Sequence, residues 1–128
     1  MTEKSAVGFQ TVEIANGLLT AQLGFMTDET GRLPISVTDD FSLGYVSGFL
    51  DALMQRTGIE DQVESFVLVS ILMIKLFGEK AGAGLSGRFL NSQHLPETQR
   101  GLMAGGNDSL AWLADPDKPP FGWYHHCK

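Results

Sequence analysis

The sequence predicts a mainly α-helical (α+β) fold with a small N-terminal β-hairpin, and three observations support this. Two apolar stretches, about 39–57 and 60–77, each begin with acidic residues and end beside a glycine, as helices commonly do. A tight turn at Gly58 separates them, so a central antiparallel helix hairpin is expected. Finally, Asn16-Gly17 lies between alternating apolar residues, which indicates a β-hairpin.

Residues 9–26 allow two interpretations, a β-hairpin and a helix. The hairpin is preferred because Asn-Gly is the strongest short hairpin signal, whereas the helical alternative covers only 18–26. Residues 33–37 are expected to be extended and to add a third strand, because Pro34 keeps the residue before it out of the helical region.

The first predicted helix of the central hairpin is apolar around more than half of its circumference. Its polar remainder is Ser47, Asp51 and Gln55 at four-residue steps, with Gly44 and Gly48 beside them. Small residues at this spacing allow another backbone to approach closely. We interpret this surface as close packing of the second helix of the hairpin rather than as a ligand groove.

The second predicted helix has too little polar surface for a monomer. Its least apolar face carries Glu64 and Lys75, yet Leu68 and Leu72 lie on the same face. An exposed apolar face of this kind marks an interface. The sequence therefore predicts a homodimer or higher homo-oligomer with these four residues at the interface.

Shorter helices are expected in the C-terminal part of the chain. Residues 79–87 are rich in glycine and are interpreted as a mobile connection, followed by a short helix at 88–90. Pro96 suits the first turn of a further helix running to about Met103. Glycines break that helix, and a last one is expected at 109–113.

Both ends of the single predicted domain, 1–128, are expected to be extended or loosely ordered, at 1–8 and 115–128. The second of these ends is aromatic. Trp123 and Tyr124 are expected to fold back onto apolar surface, because large aromatic side chains bury roughly 150–250 Å² each.

Composition and charge exclude several classes of function. The 128 residues carry a formal net charge of −6 and show no basic cluster, which argues against nucleic acid and anionic membranes as partners. Cys127 is the single cysteine, so no internal disulfide forms. The first residues lack a signal-peptide pattern, and a cytoplasmic location is the default expectation.

A glycine-rich motif and two arginines form the candidate ligand site. Gly82, Gly84 and Gly87 match the G-x-G-x-x-G spacing of dinucleotide-binding loops, but no strand precedes them and no second βαβ unit follows. A simpler alternative is an anion site in which glycine-bearing turns and the guanidinium groups of Arg88 and Arg100 hold a carboxylate or phosphate.

A metal site at the C-terminus is a further alternative. His125, His126 and Cys127 are competent zinc or copper ligands, and His94 could supply a fourth. Adjacent residues point in different directions, however, and the usual spacing of two to four residues between ligands is absent.

No set of residues predicts catalysis, and no cofactor is expected. Asp51 and Lys75 interrupt apolar helices and are expected to form an ion pair or to lie at the rim. The sequence therefore favours a cytoplasmic accessory or interaction protein that self-associates through its helix hairpin. The alternative is a small-ligand or anion-binding protein, with or without an enzymatic role, that uses glycine-rich turns with Arg88 and Arg100.

Overall fold

Regular structure is entirely helical in residues 3–128, the part of the chain that this computed structural model describes. The α-helices in that range are α1 (Glu3–Met26), α2 (Asp40–Arg56), α3 (Gln62–Phe77), α4 (Glu79–Ser92), α5 (Pro96–Ala114) and α6 (Gly122–Cys127). A short 3-10 helix, Ile35–Thr38, precedes α2. The mainly helical fold is confirmed, but the predicted β-hairpin is wrong, since residues 3–128 contain no strand.

A continuous helix, α1, occupies the place of the expected hairpin around Asn16-Gly17. Its buried side chains recur every three or four residues, at positions 11, 12, 15, 19, 22, 23 and 26. One face of a helix has this spacing, and here it faces the core. The helix also covers 3–8, which were expected to be loose; positions 1 and 2 lie outside the described residues. The extended segment expected at 33–37 is largely the 3-10 helix.

Helices α2 and α5 pack with their backbones in contact. Four glycines face the opposite helix: Gly44 and Gly48 on α2, and Gly101 and Gly105 on α5. A Cβ atom at Gly48 would lie 2.2 Å from the carbonyl oxygen of Leu102, and one at Gly101 would lie 2.0 Å from that of Phe41. Successive contacts advance in the same direction along both helices, so the two are parallel. The predicted close approach to α2 is present, but α5 makes it instead of α3.

Helices α2 and α3 begin and end close to their predicted bounds without forming a packed hairpin. Asp39 caps α2 by accepting a hydrogen bond from the N–H of Ser42, and Asp61 caps α3 in the same way. Gly58, with φ at 82°, connects them. The two helices touch each other only slightly, because α2 packs mainly on α5 and α3 packs on α4 and α1.

The face of α3 that was predicted to form a dimer interface is covered by α1 of the same chain. Leu68 and Leu72 are only 5% and 0% exposed. Lys75 pairs with Glu13 of α1 at 2.6 Å, and Glu64 is half-buried in the first turn of α3. The exposed leucine surface from which that interface was predicted is therefore absent. Self-association stays a prediction, and it would need another surface.

The glycine-rich segment 79–87 is part of α4 and is not a mobile connection. Gly78, with φ at 94°, lets the chain reverse between α3 and α4. Gly82 then faces α3, where a Cβ atom would lie 2.5 Å from the Cα of Ile74, whereas Gly84 faces open space. Gly82 thus allows α4 to pack closely on α3, and residues 79–87 are helical and form no turn.

Helix α5 is longer than predicted. It begins at Pro96, as expected, but continues past Met103 to Ala114 without a break. Gly105, which was expected to end the helix, lies instead against α2, where a Cβ atom would be 2.0 Å from the carbonyl oxygen of Tyr45. This packing stabilises helical structure at a residue that has low helix propensity.

The aromatic tail folds back, as predicted, but residues 122–127 form the helix α6 and are not extended or loosely ordered. Trp123 is completely buried. Its ring stacks on that of Tyr45 at 6.1 Å between centroids and meets the edge of Phe77 at 6.2 Å. The tail therefore closes one side of the core.

Candidate binding groove

A concavity of about 940 Å³ lies between α2, α3 and α4 and is open to solvent. Buried side chains of Met54, Val69 and Phe89 form its floor. Val63 and Leu90, which are 74% and 52% exposed, stand among the residues around it. Ligand sites in proteins are typically about 300–1,000 Å³ in volume and mostly apolar, so this concavity has the size and lining of a binding site.

A second concavity, of about 590 Å³, continues the first across α2 to α5. The two share Asp51, Gln55 and Leu102. Met103 and Leu110 line the second one and are 68% and 51% exposed. We call the combined surface the α2 groove.

The charged residues of the α2 groove are mainly acidic. Asp51 lies where the two concavities meet, and its carboxylate accepts a hydrogen bond of 2.7 Å from the neutral amide of Gln55. Glu60 lines the first concavity, and Arg56 lines the second. Within residues 6–128, neither acid forms an ion pair. The ion pair that was one of the two arrangements expected for Asp51 and Lys75 does not form, because Lys75 pairs with Glu13 of α1; Asp51 is half-exposed and lines the groove.

A buried hydroxyl without a hydrogen-bond partner also lines the groove. Ser47 is 2% exposed, and its Oγ makes no hydrogen bond in the described part of the chain. Leaving a buried polar group unpaired costs about 1–3 kcal/mol. Thr98 and Trp123 carry similar unpaired atoms, but Ser47 is the one of these three that lines the groove.

A buried polar network lies at the junction of α1, α2, α5 and α6. The hydroxyl of Tyr45 donates to Asp108 at 2.5 Å and accepts from the amide of Gln22 at 3.1 Å. The backbone N–H of Gly122 donates to the same Asp108 oxygen, and that of Tyr124 donates to Gln22. Burial raises the pKa of Tyr45, and the hydrogen bond to Asp108 raises it further. The phenol stays protonated, so the network acts as a structural connection.

Neither arginine of the predicted anion site has an unpaired guanidinium. Arg88 donates to the carbonyl of Thr38 and lies 3.3 Å from a carboxylate oxygen of Asp40. Arg100 lies 2.6 Å from Glu97 on its own helix. The accompanying glycines are helical, so the turns on which an anion site was predicted are not present.

The four predicted metal ligands are not brought together. His126 lies 2.8 Å from a carboxylate oxygen of Asp39, Cys127 is buried, and His94 and His125 are exposed. Over the residues that the structure describes, no group of three or more His, Cys, Asp or Glu side chains is placed to hold a metal ion. The metal alternative therefore loses its geometric basis.

Comparison with known proteins gave no match to a family model, a curated protein or a solved structure. None of the helices within residues 3–128 combines the length and hydropathy that crossing a bilayer requires.

Part of the groove consists of residues that form a pattern in the sequence. The polar row Ser47, Asp51 and Gln55 on an otherwise apolar helix is the row that lines the groove. Glu60 and Leu90 belong to other segments and carry no pattern of their own. Their proximity to α2 follows from the path of α3 and α4, which no local spacing reveals.

Proposed function

We propose that this chain is a non-enzymatic interaction module that binds a helical segment of a partner protein in the α2 groove. The observation that carries the proposal is a row of exposed aliphatic side chains on both sides of Asp51. These side chains are Val63, Leu90, Met103 and Leu110. Amphipathic helices dock into such grooves through residues spaced i, i+3, i+4 and i+7.

The dimensions of the groove support a helix as the occupant. Its residues on α2 extend from Ser47 to Arg56, which corresponds to about 13 Å of helix at a rise of about 1.5 Å per residue. A helix with its side chains is about 10–12 Å wide. Small-molecule sites usually enclose most of their ligand, whereas this groove is open along α2. A helix can fill it while keeping its polar face in water.

The titratable residues support a binding role over a catalytic one. Tyr45 and Asp108 do not line the groove, and the phenol is held in its neutral form. Groove residues offer carboxylates, amides, two serine hydroxyls and one guanidinium, and they do not form a catalytic set. The cytoplasmic location and the self-association expected from the sequence stay predictions, and binding in the groove requires neither.

Selection from a displayed library of helical peptides tests the proposal. We expect a family of amphipathic helices whose binding is lost in Leu90→Asp, because a charge would enter the apolar wall. Ile35→Asp is the matched control: Ile35 is 94% exposed and does not line the groove, so binding should be unchanged. Failure to select any helical peptide, or equal binding by both variants, would overturn the proposal.

A further inference from the structure

From the charges in the α2 groove, we infer that the partner helix carries a lysine or arginine at the centre of its apolar face. Asp51 receives this cation, and Glu60 adds negative charge to the first concavity. The inference rests on the proposed function, because it specifies the chemistry of the same occupant.

Asp51 lies at the junction of the two concavities. Any helix that spans both concavities covers its carboxylate and removes water from it. A covered carboxylate is unfavourable unless a cation pairs with it. The neutral amide of Gln55 is its partner within the described residues, and Arg56 lines the second concavity without forming an ion pair with it, so a cation on the occupant would supply the compensating charge.

Glu60 and Ser47 line the same concavity as Asp51. Glu60 adds a second carboxylate to the first concavity, which no basic side chain lines. Ser47 lies one helical turn before Asp51 on the same face of α2, and its buried Oγ has no partner in the described residues. A lysine ammonium carries three N–H donors and a guanidinium five, so one cation can pair with both carboxylate oxygens of Asp51.

The same charges argue against a second copy of this chain as the occupant. A two-fold dimer places the same surface of both copies together. With Asp51 at the centre of that surface, two acidic grooves would meet, in a chain whose formal net charge is −6. Like charges brought together in this way are unfavourable. A different chain with a basic residue fits the surface better.

The test is a library of displayed helical peptides with the central contact position fully randomised. We expect lysine and arginine to be enriched there. A chosen lysine peptide should bind at least about tenfold more tightly than the same peptide with norleucine, which keeps the aliphatic stem and removes the charge. Added salt should reduce this preference, because the attraction is electrostatic.

Asp51→Asn/Glu60→Gln provides the matched variant, since it preserves shape and removes both negative charges. This variant should bind the lysine and norleucine peptides equally, with circular dichroism confirming an unchanged fold. Selected helical peptides without basic enrichment would overturn this inference and leave the proposed function standing. Failure to select any helical peptide would overturn both. A dimer that Leu90→Asp converts to monomer would place a second copy in the groove and also overturn the inference.

Discussion

The hydroxyl of Tyr45 on α2 lies 2.5 Å from Oδ2 of Asp108 on α5, and this hydrogen bond joins the two parallel helices beside their glycine contact. Gln22 of α1 donates to the same hydroxyl. Tyr45 is fully buried, so water cannot replace either partner. The network therefore fixes how three helices lie relative to one another.

Tyr45→Phe should destabilise the fold by about 1–3 kcal/mol, because it removes the hydroxyl that binds Asp108 and Gln22 at a buried position, where water cannot take its place. Urea denaturation measures the effect. Tyr124→Phe is the matched control, since the Tyr124 hydroxyl makes no hydrogen bond within residues 6–128. Similar losses in both variants would contradict the assigned role of the network.

The raised pKa of Tyr45 predicts a loss of stability at alkaline pH. In the unfolded chain the phenol ionises near its ordinary pKa of about 10, whereas burial and Asp108 keep it protonated in the folded chain. The stabilisation is complete below pH about 10 and is lost as pH rises through the raised pKa. Denaturation from pH 8 to 11 should show a steeper decline for the wild type than for Tyr45→Phe, and parallel curves would contradict this.

Replacement of Gly101 tests the contact between α2 and α5. Gly101→Ala should lower the free energy of unfolding by about 3 kcal/mol or more. Its Cβ would lie 2.0 Å from the backbone carbonyl oxygen of Phe41, so the two helices would have to move apart. Gly24→Ala makes the same chemical change in α1, where no atom lies within 4 Å. It should stabilise the protein by about 0.5–1 kcal/mol through helix propensity. Thermal unfolding measures both, and a neutral Gly101→Ala would exclude the close packing.

Asp39 couples the start of α2 to the tail. Its carboxylate accepts hydrogen bonds of 2.8 Å from the N–H of Ser42 and from the ring of His126. Burial raises the pKa of Asp39, but these hydrogen bonds outweigh burial and hold it below its ordinary value. The stabilisation is present above pH about 4 and is lost as pH falls through the lowered pKa.

Asp39→Ala should therefore lower the free energy of unfolding by about 0.5–2 kcal/mol at neutral pH, which is the usual cost of removing an N-cap side chain. Asp39→Asn keeps the cap and removes only the charge, so its free energy of unfolding should fall by less than that of Asp39→Ala. Below pH 4 the wild type should approach the stability of Asp39→Asn, as measured by urea denaturation. A constant difference between these two proteins from pH 7 to pH 3 would contradict the role assigned to the charge.

Capping residues predicted α2 and α3 well because their signals are local. Asp39 and Asp61 supply side-chain oxygens, and Gly58 and Gly78 adopt positive φ at the opposite ends. Each signal acts within a few residues of the helix that it bounds. Local signals were therefore sufficient to predict where these two helices begin and end.

Helix α1 was missed because a strong turn signal was given more weight than a longer periodicity. Asn16-Gly17 favours a hairpin in isolation, yet Val12, Ala15 and Leu19 already follow helical spacing. Packing of that face on the core outweighs the cost of a helical glycine, which is about 1 kcal/mol. Tertiary contacts decided between two locally acceptable structures.

The partner of α2 could not be predicted from the glycines on α2 alone. Gly44 and Gly48 indicated a close approach, and a short connection made α3 the obvious candidate. Gly101 and Gly105 repeat the same four-residue step, but glycines in sequence also indicate a helix end. The error extended to Leu68 and Leu72, whose burial depends on where α1 lies.

The pairing of α2 with α5 has a consequence for the order in which the chain can fold during synthesis. Every residue from Phe41 to Leu50 is buried, so this part of α2 has almost no surface suited to water. Residues 57–95 must be synthesised before α5 begins, and Trp123 arrives later still. Until then, the apolar circumference of α2 is exposed on the nascent chain, where such segments aggregate or require a chaperone.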